Sequence, residues 1–111
     1  MKYIYLVTEA EATGLRDGTF KYYYTDYNDV TPCSSYRRAK EWVKFLIKDF
    51  VDSLADPSPK VDEWWIDKQP TKRNENELST IECAHVIITY TSNNDYKCVK
   101  VISMSRKALL S

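Results

Sequence analysis

The stretch SSYRRAKEWVKFLIKDFVDSL, residues 34–54, decides the fold. Ala39, Val43, Leu46, Phe50 and Leu54 recur at spacings of four, three, four and four, which sets them on one stripe of an α-helix. Tyr36, Trp42, Ile47 and Val51 widen the stripe, and Lys40, Lys44 and Lys48 form an outward row. Arg37 and Glu41 stand one turn apart, where opposite charges can pair. Ser34 or Ser35 offers a side-chain oxygen to the free N–H groups of the first turn. Asp56-Pro57 closes the segment, because proline disfavours helical dihedrals at the residue before it. The pattern predicts a helix over residues 35–55 whose oily side needs an apolar layer to lie on.

The flanking sequence supplies that layer as strands. Residues 2–10 and 19–27 are rich in β-branched and aromatic side chains. The loop between them, residues 13–18, carries Gly14 and Gly18, so the three segments predict a hairpin. After Pro57-Ser58-Pro59, residues 61–67 predict a short strand, and the nearly all-polar residues 68–79 predict an exposed loop. Strands near 80–91 and 96–104 form a second hairpin through residues 92–95. Ser105 to Ser111 read as a short helical turn or a frayed end. The expected fold is α+β: one domain over residues 1–111, with a mostly antiparallel sheet of four or five strands. Its element order is β-β-α-β-β-β, with the long helix packed on one face.

A turn centred between Asn93 and Asn94 fixes the second hairpin so that opposed residue numbers sum to 187. Val86, Ile88 and Tyr90 then oppose Val101, Val99 and Lys97 on a core face. Cys83, His85, Ile87 and Thr89 oppose Met104, Ile102, Lys100 and Cys98 on the other. That second face is only half polar, whereas a sheet face meeting water alternates cleanly. It is expected to be covered by the polar loop, by the tail, or by a partner.

Composition narrows the function classes. The 16 basic and 16 acidic residues cancel, which removes the basic footprint of a dedicated nucleic-acid binder. Residues 35–55 and 83–111 are locally basic and residues 56–82 acidic. No signal peptide and no run long enough to span a bilayer is read, so no membrane partner is expected. Three cysteines without a secretory leader point to reduced thiols and a cytoplasmic protein.

Cys83 and His85 share a strand face two residues apart, but a structural zinc site wants four ligands, and the register holds Cys98 away. No third group is placed to orient His85 for cysteine–histidine catalysis. Nucleophile-elbow, phosphate-loop and dinucleotide motifs are absent from the sequence. No catalytic, cofactor or metal residue is assigned, and the chain reads as a non-enzyme.

Trp64 and Trp65 are adjacent, so on a strand they point to opposite sides and only one enters the core. Tryptophan dominates binding hot spots. The expected function is a non-enzymatic interaction module or small accessory protein, acting as a homodimer or in complex with another protein. The candidate partner surface is Trp64, Trp65, His85, Ile87, Ile102 and Met104. The alternative is single-stranded nucleic-acid binding, with surface tyrosines as stacking platforms and Arg37, Arg38, Lys40 and Lys44 as a phosphate-docking cluster.

Overall fold

The computed structural model describes residues 2–14, 20–23, 30–70, 80–93 and 96–109. Its strands are β1 (Lys2–Gly14), β2 (Phe20–Tyr23), β3 (Val30–Cys33), β4 (Lys60–Trp65), β5 (Ile81–Thr91) and β6 (Lys97–Leu109). A single helix, α1 (Tyr36–Ser53), lies between β3 and β4 in the chain. Five strands stand side by side in the order β2-β1-β6-β5-β4, and β3 shares the outer edge of β1 with β2. Every pairing is antiparallel. The fold is therefore α+β, a sheet with one helix on one face.

Helix α1 starts where the sequence places it. Ser35 has an extended backbone and its hydroxyl accepts from the Arg38 N–H at 3.2 Å. At the other end the Leu54 N–H donates to the Val51 carbonyl at 3.2 Å. Asp56 then ties the outgoing chain to the sheet, its carboxylate accepting from the N–H of Ser58 and of Thr91, each at 2.8 Å. The helix buries Ala39 and Val43 completely against Tyr5, Val7, Ala84, Val86, Ile88, Ile102 and Met104. A side chain as small as Ala39 at the centre of that contact lets helix and sheet approach closely.

Two strand features were not expected. β3 is four residues long and contains Pro32, which a sheet admits only where no N–H is needed, as on this outer edge. Ser105–Leu109 does not turn helical or fray; it extends β6 along Lys2–Leu6 of β1. Most of the expected 13–18 loop, the end of the 19–27 strand and residues 71–79 of the polar loop lie outside the described residues.

The β5–β6 register differs from the expected one by a single position. Thr91 opposes Lys97, and the Ser92 N–H donates to the Tyr96 carbonyl at 2.8 Å, so residues 92–96 intervene instead of 92–95. Opposed numbers now sum to 188: Val86 faces Ile102, Ile88 faces Lys100 and Tyr90 faces Cys98. Because side chains alternate, a one-residue slip moves a whole strand's set to the other face. Ile102 and Met104 are therefore inside, under the helix, and Val99 and Val101 are outside. A bulge between Glu82 and Ala84 then carries Cys83 into the core, away from the face of His85.

Candidate functional site on the open sheet face

The face of the sheet opposite α1 is built by alternate residues of five strands. β1 contributes Ile4, Leu6, Thr8 and Ala10; β6 contributes Val99, Val101, Ser103 and Ser105; β5 contributes His85, Ile87 and Thr89. Trp64 of β4 and Val30 and Pro32 of β3 bound it at its two margins. Among the described residues, no element packs on this face, and none of its aliphatic side chains belongs to the core cluster. Among the described residues, charged side chains on this face stand around its perimeter, at Lys2, Lys60, Asp62, Glu82, Lys97 and Lys107.

Four large apolar residues are exposed among those described: Val30 at 41%, Phe45 at 53%, Trp64 at 51% and Leu109 at 42%. Three of them, Val30, Trp64 and Leu109, edge this one face; Phe45 is on the helix, stacked on Trp42 at 5.3 Å. An apolar, uncharged centre with a polar perimeter is how protein–protein interfaces are organised.

The six candidate partner residues divide between the two faces. Trp64, His85 and Ile87 are together on the open face. Ile102 and Met104 are fully buried beneath the helix and cannot meet a partner in this fold; the register slip is the reason. Trp65 points to the helix side, where its Nε1–H donates to Glu63 Oε1 at 3.2 Å and Lys40 Nζ sits 5.6 Å from its ring centroid. Ile4, Leu6, Val99 and Val101 were missed. The expected register assigns Val99 and Val101 to the core, and residues 2–10 read as a strand without a face assigned, so the second apolar set on β1 and β6 was not put together.

His85 has polar company. Its Nδ1 lies 3.0 Å from Glu82 Oε1 and 3.2 Å from Ser103 Oγ. The three residue types match a serine–histidine–acid relay, yet a relay needs the acid on one ring nitrogen and the serine on the other. Here both compete for Nδ1, so the cluster orients His85 in the sheet and does not activate Ser103. The thiols are poorly placed for nucleophilic work too: burial pushes the Cys83 and Cys33 pKa values up from 9.0. No group of three or more metal-ligating side chains occurs among the described residues.

The basic cluster is less compact than its numbering suggests. Arg37 is tied to Glu41 at 3.2 Å. Lys40 stands over Trp65, and Lys44 lines a shallow groove with Ile47, Lys48, Glu63 and Trp65. Arg38 is about 200° around the helix from Lys40 at 100° per residue. The cations are thus interleaved with Glu41 and Glu63.

The architecture and this surface define a helix-on-sheet α+β protein in which one face of the sheet is left uncovered among the described residues. No known family model, curated protein or solved structure matches the chain. No described helix is long and apolar enough to cross a membrane.

Proposed function

We propose that the protein is a non-enzymatic interaction module that works through the open face of its sheet, in a cytoplasmic setting where its free thiols stay reduced. The observation that carries this reading is the distribution of charge between the two faces. Lys100 and Arg106 lie on the helix side of β6, whereas the centre of the open side is aliphatic, serine and threonine. A face left to water would place charges at its middle and save the aliphatic residues for the helix side. Single-stranded nucleic-acid binding has less support, because carboxylates break up the lysine row and the helix-side groove is shallow.

The test compares the wild-type chain with Val101→Arg, at the centre of the face, and with Phe45→Arg, on the helix. Self-association is followed by light scattering and partner capture from the native host by affinity purification. The reading expects an association that Val101→Arg removes and Phe45→Arg leaves. If neither assay finds an association dependent on Val101, the reading fails. Oligonucleotide binding that weakens steeply with salt would favour the alternative instead.

A further inference from the structure

One row of the open face has ends that a second copy of the chain can match. Following the register across the sheet, Trp64 opposes His85, His85 opposes Ser103, Ser103 opposes Thr8, and Thr8 opposes Val30. This row has Ser103 of β6 at its middle, with two strands on each side. Its ends are Trp64 and Val30, two of the most exposed large apolar side chains described. Within this row Ser103 and Thr8 are small, His85 is larger, and the exposed apolar side chains stand at the two ends.

Rotation by 180° about an axis lying along β6, in the plane of contact, turns the sheet over and exchanges its left and right margins. Trp64 of one copy then meets Val30 of the other, and the reverse contact forms at the opposite margin. Both knobs gain an apolar partner in one closed, isologous interface. Facing sheets sit about 10 Å apart, within reach of side chains from both sides, so each Trp64 can cover a Val30.

The area is adequate. Strands β1, β3, β4, β5 and β6 hold 47 residues together, and at about 3.3 by 4.8 Å each they span about 740 Å² in projection. The accessible area of a corrugated face exceeds its projection, which brings it near the roughly 800 Å² each partner contributes to a stable interface. The formal net charge of zero adds no long-range repulsion between copies, and the two lysines of β6 that face their own copies, Lys97 and Lys107, stand at the ends of the strand, where ammonium groups can turn to water.

We infer that the occupant of the open face is a second copy of this chain, packed sheet to sheet about a two-fold axis along β6, with Trp64 of each protomer against Val30 of the other. The inference rests on the interaction reading above and gives it a partner.

Sedimentation velocity on the full chain at tens of micromolar tests it, with circular dichroism to confirm that each variant is folded. The wild type is expected to sediment as a dimer. Trp64→Glu alone and Val30→Lys alone should each weaken dimerisation at least tenfold. An equimolar mixture of the two variants should regain dimer, because a mixed pair sets the new carboxylate against the new ammonium at one margin and Trp64 against Val30 at the other.

A two-fold axis running across the strands would stack Trp64 on Trp64, and mixing would restore nothing; that result overturns the geometry. A monomeric wild type that captures a foreign protein through Val101 overturns the dimer and leaves the interaction reading standing. A dimer indifferent to Val101→Arg, Trp64→Glu and Val30→Lys overturns both.

Discussion

Replacing Ile102 by threonine and, separately, Val101 by threonine tests the register on which every surface assignment depends. Both substitutions keep a β-branched side chain, so strand propensity is held nearly constant. Ile102 is fully buried between the sheet and α1. Its replacement deletes two carbon groups, about 1.6 kcal/mol at roughly 0.8 kcal/mol each. It also buries a new hydroxyl among apolar neighbours, which adds about 1–3 kcal/mol when no partner is available. The expected loss is about 3–4 kcal/mol, a large part of the roughly 5–15 kcal/mol that stabilises an ordinary domain.

Val101, one residue earlier, is half exposed on the open face. Exchanging one of its methyls for a hydroxyl should change stability by no more than about 0.5 kcal/mol. At about 2.1 cal/mol/K per residue, unfolding of 111 residues carries an entropy near 0.23 kcal/mol/K, so 3 kcal/mol lowers Tm by about 13 °C. Urea unfolding followed by tryptophan fluorescence and circular dichroism reads both variants, across a protein dilution series that separates folding from self-association. If opposed numbers summed to 187, Val101 would be the core residue. A Val101→Thr loss equal to or larger than that of Ile102→Thr, at every concentration, would refute the observed register.

Ser35→Ala removes the hydroxyl that accepts from Arg38 N–H, and should cost about 1 kcal/mol by urea unfolding. Burial raises the pKa of Cys33, Cys83 and Tyr36, and pushes Tyr90 up from 10.0 to about 12. Above the ordinary values of 9.0 and 10.0, the unfolded chain gives up these protons before the folded one does. Stability should therefore hold below about pH 9 and decline as pH rises toward about 12, with Tyr90→Phe flattening the last part of a pH series of urea melts. Hydrogen bonds from Ser58 and Thr91 hold the Asp56 carboxyl below its ordinary 3.8. Its contribution is present above that pH and lost as pH falls through the folded value, and Asp56→Asn should remove this part of the acid sensitivity.

What the sequence showed and what it hid follow from how much contrast each segment carries. The Tyr36–Leu54 stripe has lysines on one side and aliphatics on the other, so helix, boundaries and buried face were all legible. Trp64 and Trp65 are adjacent on a strand, so their separation to opposite faces was legible too. β5 and β6 offered no such contrast: Val86 and Ile88 alternate with His85 and Ile87, and Ile102 and Met104 with Val99 and Val101. With apolar residues on both faces, neighbouring registers look equally good, and the loop length decides between them. One residue there exchanged Ile102 and Met104 for Val99 and Val101. The bulge that buries Cys83 beside Ala84 leaves no mark in the local sequence.

The treatment of Lys100 shows how this chain handles surface that its helix does not reach. Eighteen helical residues make a rod roughly 27 Å long and 10 Å wide, while five strands at about 4.8 Å span about 24 Å. The helix therefore covers less than half the width of its own face. Lys100 is only 8% exposed on that side; its Nζ lies 3.2 Å from Glu9 Oε1, 3.3 Å from Glu11 Oε1 and 5.2 Å from the Phe50 ring centroid. Its stem covers apolar surface while its head keeps two carboxylates, which is packing as much as charge. Lys100→Met keeps an apolar stem in place and leaves two carboxylates that are 21% and 46% exposed and can turn toward water, so it should cost no more than about 1 kcal/mol. Removing both acids, Glu9→Gln with Glu11→Gln, strands the ammonium and should cost more, about 1–3 kcal/mol after allowing for the partial exposure of the carboxylates. Urea melts of the two variants decide the matter: if Lys100→Met is the more damaging, the residue serves mainly as a charge. The helix side would then be tuned for water at its margin, and the contrast with the uncharged open face, which carries the interaction reading, would lose its force.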